Sequence, residues 1–239
     1  MSKRFKFFIG HLTISAIIAL IAICIVFLFW YPSPLAKALG VTHLFFMLII
    51  IDVIVGPLFG LLVYKEGKKN LKMDLATVII LQICAFSYGF YTIAQGRPAW
   101  IVYDSLTFNI IKNSDIEMSN IEQANPEFQH PSWFGPQFVA LNALPKQFLI
   151  NPVPKNTIAL DHPMYYTNIS NAKLRLQTSA FPVELLEKYN DQQLVGKILK
   201  KYPQANAWLG LSAPAIDMVV LINKDQGNVV KIVDLRPWN

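Results

Sequence analysis

Three long apolar stretches dominate the first 96 residues of this chain. Residues 7–31 contain no charged side chain, residues 42–64 contain only Asp52, and residues 75–94 contain none. A helix needs about 20 predominantly apolar residues to cross the hydrocarbon core of a bilayer. The pattern predicts a membrane protein in which residues 1–96 form a bundle of three transmembrane helices, at residues 7–31, 42–64 and 74–95.

The remainder of the chain, residues 97–239, is more polar. Residues 100–104 and 106–111 are rich in β-branched and aromatic side chains, which favour strands. Two further apolar runs, Met218–Asn223 and residues 228–235, flank a polar turn and predict a β-hairpin. We therefore expect an α+β domain with an antiparallel sheet. Helices are predicted at residues 120–125, within 136–144, at 182–189, and from an Asp191 cap to Tyr202.

Basic residues give the predicted bundle an orientation. Seven of them precede the first helix or lie between the second and third, whereas the opposite side carries only Lys37 and Arg97. Because cytoplasmic loops are enriched in Lys and Arg, we expect a cytoplasmic N-terminus and an exported domain at residues 97–239. The net charge of +6 therefore reflects topology, and no clustered basic stripe indicates nucleic-acid binding. Aromatic rings are expected at both membrane interfaces: Tyr64 at the inner one, and Trp30, Tyr31 and Trp100 at the outer one.

Asp52 is the ionisable residue placed deepest in the predicted membrane region. A carboxyl group there is costly unless it is neutral or hydrogen-bonded by neighbouring helices. Counted along the helix axes, Gln82 on the third helix lies within about one turn of the depth of Asp52. We expect Asp52 and Gln82 to be in contact or nearly so. Three roles stay open for Asp52: a hydrogen-bonded anchor, a docking or switching point for a partner helix, or catalysis or proton transfer.

Small residues and a proline surround Asp52 on the second helix. Gly56 and Gly60 form a G-x-x-x-G pair, which allows close approach of another helix. Pro57 removes one backbone hydrogen bond and is expected to kink the helix. That kink is either tolerated in a packed bundle or opens a groove beside Asp52. We expect these residues to help form a face for docking a partner helix.

No catalytic, metal or cofactor site is predicted. His11, His43 and Asp52 occupy separate depths, so a compact acid–base site is not expected. The sequence has no spacing typical of metal ligands and no phosphate-binding glycine loop. Cys24 and Cys84 both lie in predicted membrane helices, so no disulfide is expected in the exported domain.

Two processing alternatives concern the first helix. Residues 36–38 have the small-x-small form of a signal-peptide cleavage site, but the apolar segment is far longer than a signal peptide requires. Gly10 invites comparison with a prepilin leader, yet His11 and Ser15 depart from the pilin pattern. We expect the first helix to be retained as a membrane anchor.

Several segments together resemble the type IV pilin accessory proteins of the TfpX/TfpZ group. The resemblance covers nearly the whole chain, is most specific in the membrane part, and weakens over residues 126–163. It rests on WYPSP at residues 30–34, DVIVGP at 52–57, YKEGKKNLKMD at 64–74, Gln82, YGFYT at 88–92, QGRP at 95–98 and DLRPW at 234–238.

The resemblance implies a bacterial inner-membrane protein with a periplasmic domain that supports the stability or assembly of a cognate type IV pilin. The implied partners are the transmembrane helix and the head domain of the major pilin, together with the lipid bilayer. The implied activity is not catalytic. Two other classes stay open: an envelope enzyme that modifies pilin or another exported polymer, and a structural or sensory envelope protein. The sequence does not define the oligomeric state. The candidate partner-binding residues are Asp52, Gly56, Pro57, Gly60, Gln82, Arg97 and Pro98.

Overall fold

The computed structural model describes residues 1–142 and 160–238. Three long helices open the chain, as predicted: α1 (Lys3–Trp30), α2 (Val41–Val63) and α3 (Leu71–Gln95). Each is long and apolar enough to cross a membrane. Two stretches within them are π-helical, namely Ile25–Trp30 at the end of α1 and Ile51–Val55 in the middle of α2.

The helices pack through small residues. Ser15, Ala19 and Ala22 form the buried side of α1, where they leave room for the neighbouring helices. Gly89 of α3 lies so close to the Leu48 side chain of α2 that an added Cβ would be 2.6 Å from it. Most other side chains of the three helices face outward, and many of the exposed ones are large and apolar.

Within the described part of the chain after α3, eight strands form one sheet that curls into a half-barrel. The strand order is β4-β3-β1-β2-β6-β7-β8, with β5 paired to β6 beside this path. The strands are β1 (Pro98–Tyr103), β2 (Phe108–Lys112), β3 (Gln137–Leu141), β4 (Tyr166–Asn168), β5 (Phe181–Pro182), β6 (Ala207–Ser212), β7 (Met218–Asn223) and β8 (Asn228–Val233).

The sheet is mixed, so the prediction of an antiparallel sheet is wrong in part. The predicted hairpin of β7 and β8 is present, and β1 and β2 also pair antiparallel. However, β1 pairs in parallel with β3, and β2 pairs in parallel with β6. The connectivity explains the first of these pairs. β2 ends beside the beginning of β1, and the chain passes β1 and begins β3 at that same edge of the sheet, so β3 runs parallel to β1.

The helices of the domain are short. α4 (Lys173–Ser179) is not predicted by the sequence pattern, whereas α5 (Gln192–Lys201) begins at the expected cap, where Asp191 Oδ1 accepts from the Leu194 amide at 2.9 Å. The segment within 136–144 was expected to be helical, which is wrong for Gln137–Leu141 because it forms β3 between two strands; residues 143 and 144 lie outside the described residues. The 3₁₀ turns are Asn113–Asp115, Ile121–Gln123, Pro126–Phe128, Pro163–Tyr165, Ile169–Ala172 and Val183–Lys188.

A one-turn helix between α1 and α2, Leu35–Ala38, joins the bundle to the domain. Leu35 and Ala38 are buried among the strands in the same core as Ile101 and Leu209. The carbonyl oxygen of Ala38 accepts from the amides of residues 215 and 216 at 3.0 and 3.2 Å. The core of the domain therefore includes side chains that precede α2 in the chain. We call the end of the bundle that carries this contact the domain end.

Candidate partner-binding site

A polar cluster joins the three helices halfway along the bundle. The Gln82 Nε2 group of α3 donates to Ser15 Oγ of α1 and to the Asp52 carbonyl oxygen of α2, both at 3.0 Å. Ser15 and Asp52 are buried, and Gln82 is half-buried. The predicted contact between Asp52 and Gln82 is therefore confirmed. In an apolar environment such bonds hold helices in one register.

The sequence around Pro57 explains why Gln82 bonds a backbone carbonyl. In the π-helical stretch, the Gly56 amide donates to the Ile51 carbonyl oxygen. In this register the Asp52 carbonyl would accept from the amide of residue 57, but proline has no N–H. A buried carbonyl without a partner costs about 1–3 kcal/mol. The Gln82 side chain supplies the missing donor.

Gly56 makes this interaction possible. A Cβ at that position would lie 2.0 Å from Gln82 Oε1, so any side chain would push the carboxamide away. Asp52, Gly56, Pro57 and Gln82 thus form one arrangement in which each residue has a separate physical role. Gly60 has a different neighbour, since an added Cβ would lie 3.0 Å from the Phe7 ring of α1.

A groove of about 340 Å³ opens beside this cluster, between α2 and α3. Asp52 and Gln82 supply polar atoms to it, and its exposed walls include Ile51, Phe59 and Leu81. Gly56 also lines the groove, whereas Pro57 and Gly60 do not and are buried in the packing of α2. The full lining is Leu48, Ile51, Asp52, Val55, Gly56, Phe59, Val78, Leu81, Gln82, Ala85 and Phe86. An apolar groove with a few polar groups suits an apolar helix that carries a hydrogen-bonding group.

Arg97 and Pro98 lie elsewhere, at the domain end of the bundle. Arg97 is buried, donates from Nη1 to the Ala94 carbonyl oxygen at 2.9 Å, and places its guanidinium 4.4 Å from the centre of the Trp133 ring. Burial lowers the pKa of Arg97, and the nearby Tyr31 opposes this shift. Pro98 begins β1. The structure therefore brings Asp52, Gly56 and Gln82 together but separates Arg97 and Pro98 from them.

Tyr31 fixes the same end of the bundle. Its hydroxyl donates to the Ile93 carbonyl oxygen at 2.7 Å, which ties the end of α1 to α3. Tyr31 is only 2% exposed, so this hydrogen bond is shielded from solvent.

The aromatic residues at the domain end are not arranged as the sequence predicts. Trp30, Tyr31 and Trp100 are all buried within the protein, so their rings are not available to a membrane interface. Exposed aromatic side chains at this end include Trp133 and Phe134, which lie on a loop and were not among the residues predicted to face the membrane interface. Adjacent aromatic residues between Pro131 and Pro136 were the feature that could have identified them.

Among the described residues, this site provides hydrogen-bonding groups and an apolar groove. Within residues 1–142 and 160–238, no group of three or more His, Cys, Asp or Glu side chains is placed to hold a metal ion. Cys24 and Cys84 are free and exposed on the helices. The chain thus has three membrane-capable helices, a polar cluster and a groove between them, and a half-barrel domain at one end. These features define a membrane-associated protein with a groove suited to packing against another helix.

Comparison with known proteins identifies the family. A family model described as fimbrial assembly protein FimB matches residues 1–40. Fimbrial assembly proteins of Dichelobacter nodosus are similar: serogroup E1 at 34% identity over 133 residues (55% of this chain, 52% of the relative) and serogroups C1 and C2 at 33% over 108 residues (44% and 82%). The serogroup I protein is 32% identical over 133 residues, with the same coverage as serogroup E1. This chain belongs to the fimbrial assembly protein family, which confirms the resemblance to type IV pilin accessory proteins.

The extent of these matches is limited. The chain spans about half the length of the first curated relatives it matches, at 52% of each. No solved structure matches the chain.

Proposed function

We propose that this protein is a non-enzymatic membrane accessory factor, acting as a chaperone that supports the stability and assembly of a cognate type IV pilin. Family membership supports a role in pilus assembly, since the similar proteins of D. nodosus are named fimbrial assembly proteins. The observation that carries the chaperone part of the proposal is the groove between α2 and α3. Its apolar walls and polar groups are suited to hold one apolar helix.

The proposed location is the bacterial inner membrane, with three transmembrane helices in residues 1–96 and a periplasmic domain at residues 97–239. The N-terminus is then cytoplasmic. The distribution of basic residues supports this topology, because Lys and Arg are enriched in cytoplasmic loops. The outward-facing apolar side chains of the three helices also support embedding in lipid.

In this proposal the transmembrane helix of the pilin docks in the groove beside Asp52, Gly56 and Gln82. Pro57 and Gly60 act indirectly, because they shape α2 and its packing on α1. Arg97 and Pro98 hold the periplasmic domain at the end of the bundle, where it can meet the pilin head. The groove then contacts the transmembrane helix of the pilin, and the periplasmic domain contacts the pilin head.

Site-specific photo-cross-linking tests the docking site. A photoreactive residue replaces Leu81, which lines the groove, or its neighbour Ile80, which does not. Both positions are on α3 and similarly exposed, at 64% and 59%, so they form a matched pair. We expect pilin adducts from position 81 and few from position 80. Equal yields at the two positions, or adducts from the domain alone, would move the docking site away from the groove.

Deletion of the gene tests the role itself. We expect pilin to fall in both the whole-cell and the sheared surface fractions while its transcript is unchanged, and to recover when the gene is restored. A normal whole-cell pool with a reduced surface fraction would instead assign the protein to assembly. No change in either fraction, in a strain with the cognate pilin, would contradict a function in pilus biogenesis.

A further inference from the structure

A loop of the domain, residues 131–136, folds back onto the end of α1. The Phe134 ring meets Phe29 edge to face with 5.6 Å between ring centres, and the Trp133 ring lies 6.3 Å from that of Trp30. The backbone approaches as well, because a Cβ on Gly135 would lie 3.3 Å from the Phe29 carbonyl oxygen. The position of the loop relative to the helix end is therefore fixed by several contacts.

The two aromatic side chains of this loop are largely uncovered. Trp133 is 60% exposed and Phe134 is 79% exposed, which is unusual for large apolar side chains on a polar domain. Their exposed surface continues that of α1, where Leu28 is 67% exposed and Phe29 is 41% exposed. The outward-facing apolar surface of the bundle thus extends onto the domain.

Tyrosines on α3 lie at the same end. Tyr88 and Tyr91 are 76% and 61% exposed, and their neighbour Phe90 packs on Trp30 with 5.0 Å between ring centres. Since Trp30 also contacts Trp133, the exposed rings of α3 and of the loop lie at one level of the molecule. Trp and Tyr concentrate at membrane–water interfaces, where an apolar ring and a polar edge are both accommodated.

We propose that Trp133 and Phe134 insert into the lipid interface of the leaflet at the domain end of the bundle. The inference rests on the proposed embedding of the three helices in a membrane. Residues 128–136 contain no acidic side chain, so nothing in this segment opposes contact with anionic headgroups. The loop then acts as a second membrane contact of the domain, and it sets the height and tilt of the sheet above the bilayer.

Fluorescence quenching in proteoliposomes tests this proposal with the full chain. Cys24 and Cys84 are replaced by alanine, and a single cysteine carrying an environment-sensitive dye is introduced as Phe134→Cys. Vesicles of phosphatidylcholine and phosphatidylglycerol contain a lipid with a nitroxide near the headgroup end of its acyl chain. Two reference positions are used. Leu28→Cys reports on α1, and Leu174→Cys reports on α4. The neighbouring Arg175 donates to Ser105 Oγ, just after β1, and to the carbonyl oxygen of Leu141, which ends β3. These are the ends of β1 and β3 that point away from α3, so α4 lies far from the bundle.

We expect quenching at position 134 to approach that at position 28 and to exceed that at position 174 by roughly threefold, as for a side chain buried at the headgroup boundary. Quenching at position 134 equal to that at position 174 would overturn the proposal. So would quenching at 134 that disappears when purified pilin is added, since the loop would then belong to a protein interface. Absence of quenching at both position 134 and position 28 would refute embedding of the helices in the membrane. The pilin-abundance measurement above is independent of all three outcomes.

Discussion

The bond between Gln82 and the Asp52 carbonyl makes a quantitative prediction about the bundle. Gln82→Ala removes two hydrogen bonds, to Ser15 Oγ and to Asp52 O. Ser15 Oγ loses a donor but keeps its own O–H, which can still donate to a helix carbonyl, whereas the Asp52 carbonyl oxygen cannot recover a donor because residue 57 is proline. Interhelical hydrogen bonds in membranes average about 0.6 kcal/mol, and an unsatisfied buried carbonyl costs about 1–3 kcal/mol. We expect a loss of about 1–3 kcal/mol in the free energy of unfolding.

A double-mutant cycle isolates the cause. Pro57→Ala restores a backbone N–H that can serve the Asp52 carbonyl, so in that background Gln82→Ala should cost only about 0.6 kcal/mol, for the remaining bond to Ser15. The measurement is equilibrium unfolding of purified protein in mixed detergent micelles, followed by helical circular dichroism. Ser87→Ala, at an exposed position of the same helix, is the matched control and should change stability by less than about 0.5 kcal/mol.

The cycle can fail in two informative ways. If Gln82→Ala costs the same with and without Pro57, the Asp52 carbonyl does not depend on Gln82, and the missing N–H of Pro57 does not explain the bond between them. If Gln82→Ala is neutral, the polar cluster contributes nothing to bundle stability.

Three further predictions concern the domain. Leu35→Ala should lower its stability by about 2–4 kcal/mol in thermal unfolding, because Leu35 is buried in the domain core; a change below about 0.5 kcal/mol would show that the core does not need it. Asp191→Ala should cost about 1 kcal/mol by removing the α5 cap, whereas Asp191→Asn should retain most of it; equal losses would rule out the cap. Although burial acts in the opposite direction, hydrogen bonds and charge from Lys37 and Arg236 hold the pKa of Asp234 below its ordinary value. The unfolded chain therefore binds the Asp234 proton more readily than the folded chain does. The stability that the ionised Asp234 contributes is present above the ordinary aspartate pKa, and it is lost as pH falls through that value and then through the lower pKa of Asp234 in the folded protein. Stability measured against pH should fall more steeply below about pH 4 in the native protein than in Asp234→Asn, and parallel curves would contradict the argument.

Local patterns were enough to predict the parts of the fold that depend on local physics. The three long helices follow from uninterrupted apolar composition, and α5 follows from its Asp191 cap and apolar stripe. The contact between Asp52 and Gln82 followed from depth along two helices, because a buried polar group in an apolar bundle requires a partner of the same kind.

Features that depend on distant contacts were not predictable in this way. The segment that forms β3 was expected to be helical, and nothing in its local sequence specifies that it pairs in parallel with β1. The sequence places Trp30 and Trp100 at the ends of helices and strands, yet tertiary packing buries both. The exposure of Trp133 and Phe134 likewise depends on how the loop folds back on α1. Within the groove, sequence reasoning identified the residues Asp52, Gly56 and Gln82 but not the bond to a backbone carbonyl, which depends on the π register.

In the membrane topology proposed above, the one-turn helix Leu35–Ala38 would couple membrane insertion to completion of the domain. Its residues are made before α2, yet they fill a core that also includes Ile232 of β8, and Lys37 pairs with Asp234 at 2.6 Å. In that topology the domain closes only when this early helix and the late strand β8 lie on the same side of the bilayer. A chain whose first helix inserted in the opposite direction would leave the core unfilled and the sheet open to proteolysis. Only correctly inserted chains would then acquire a domain that resists proteolysis.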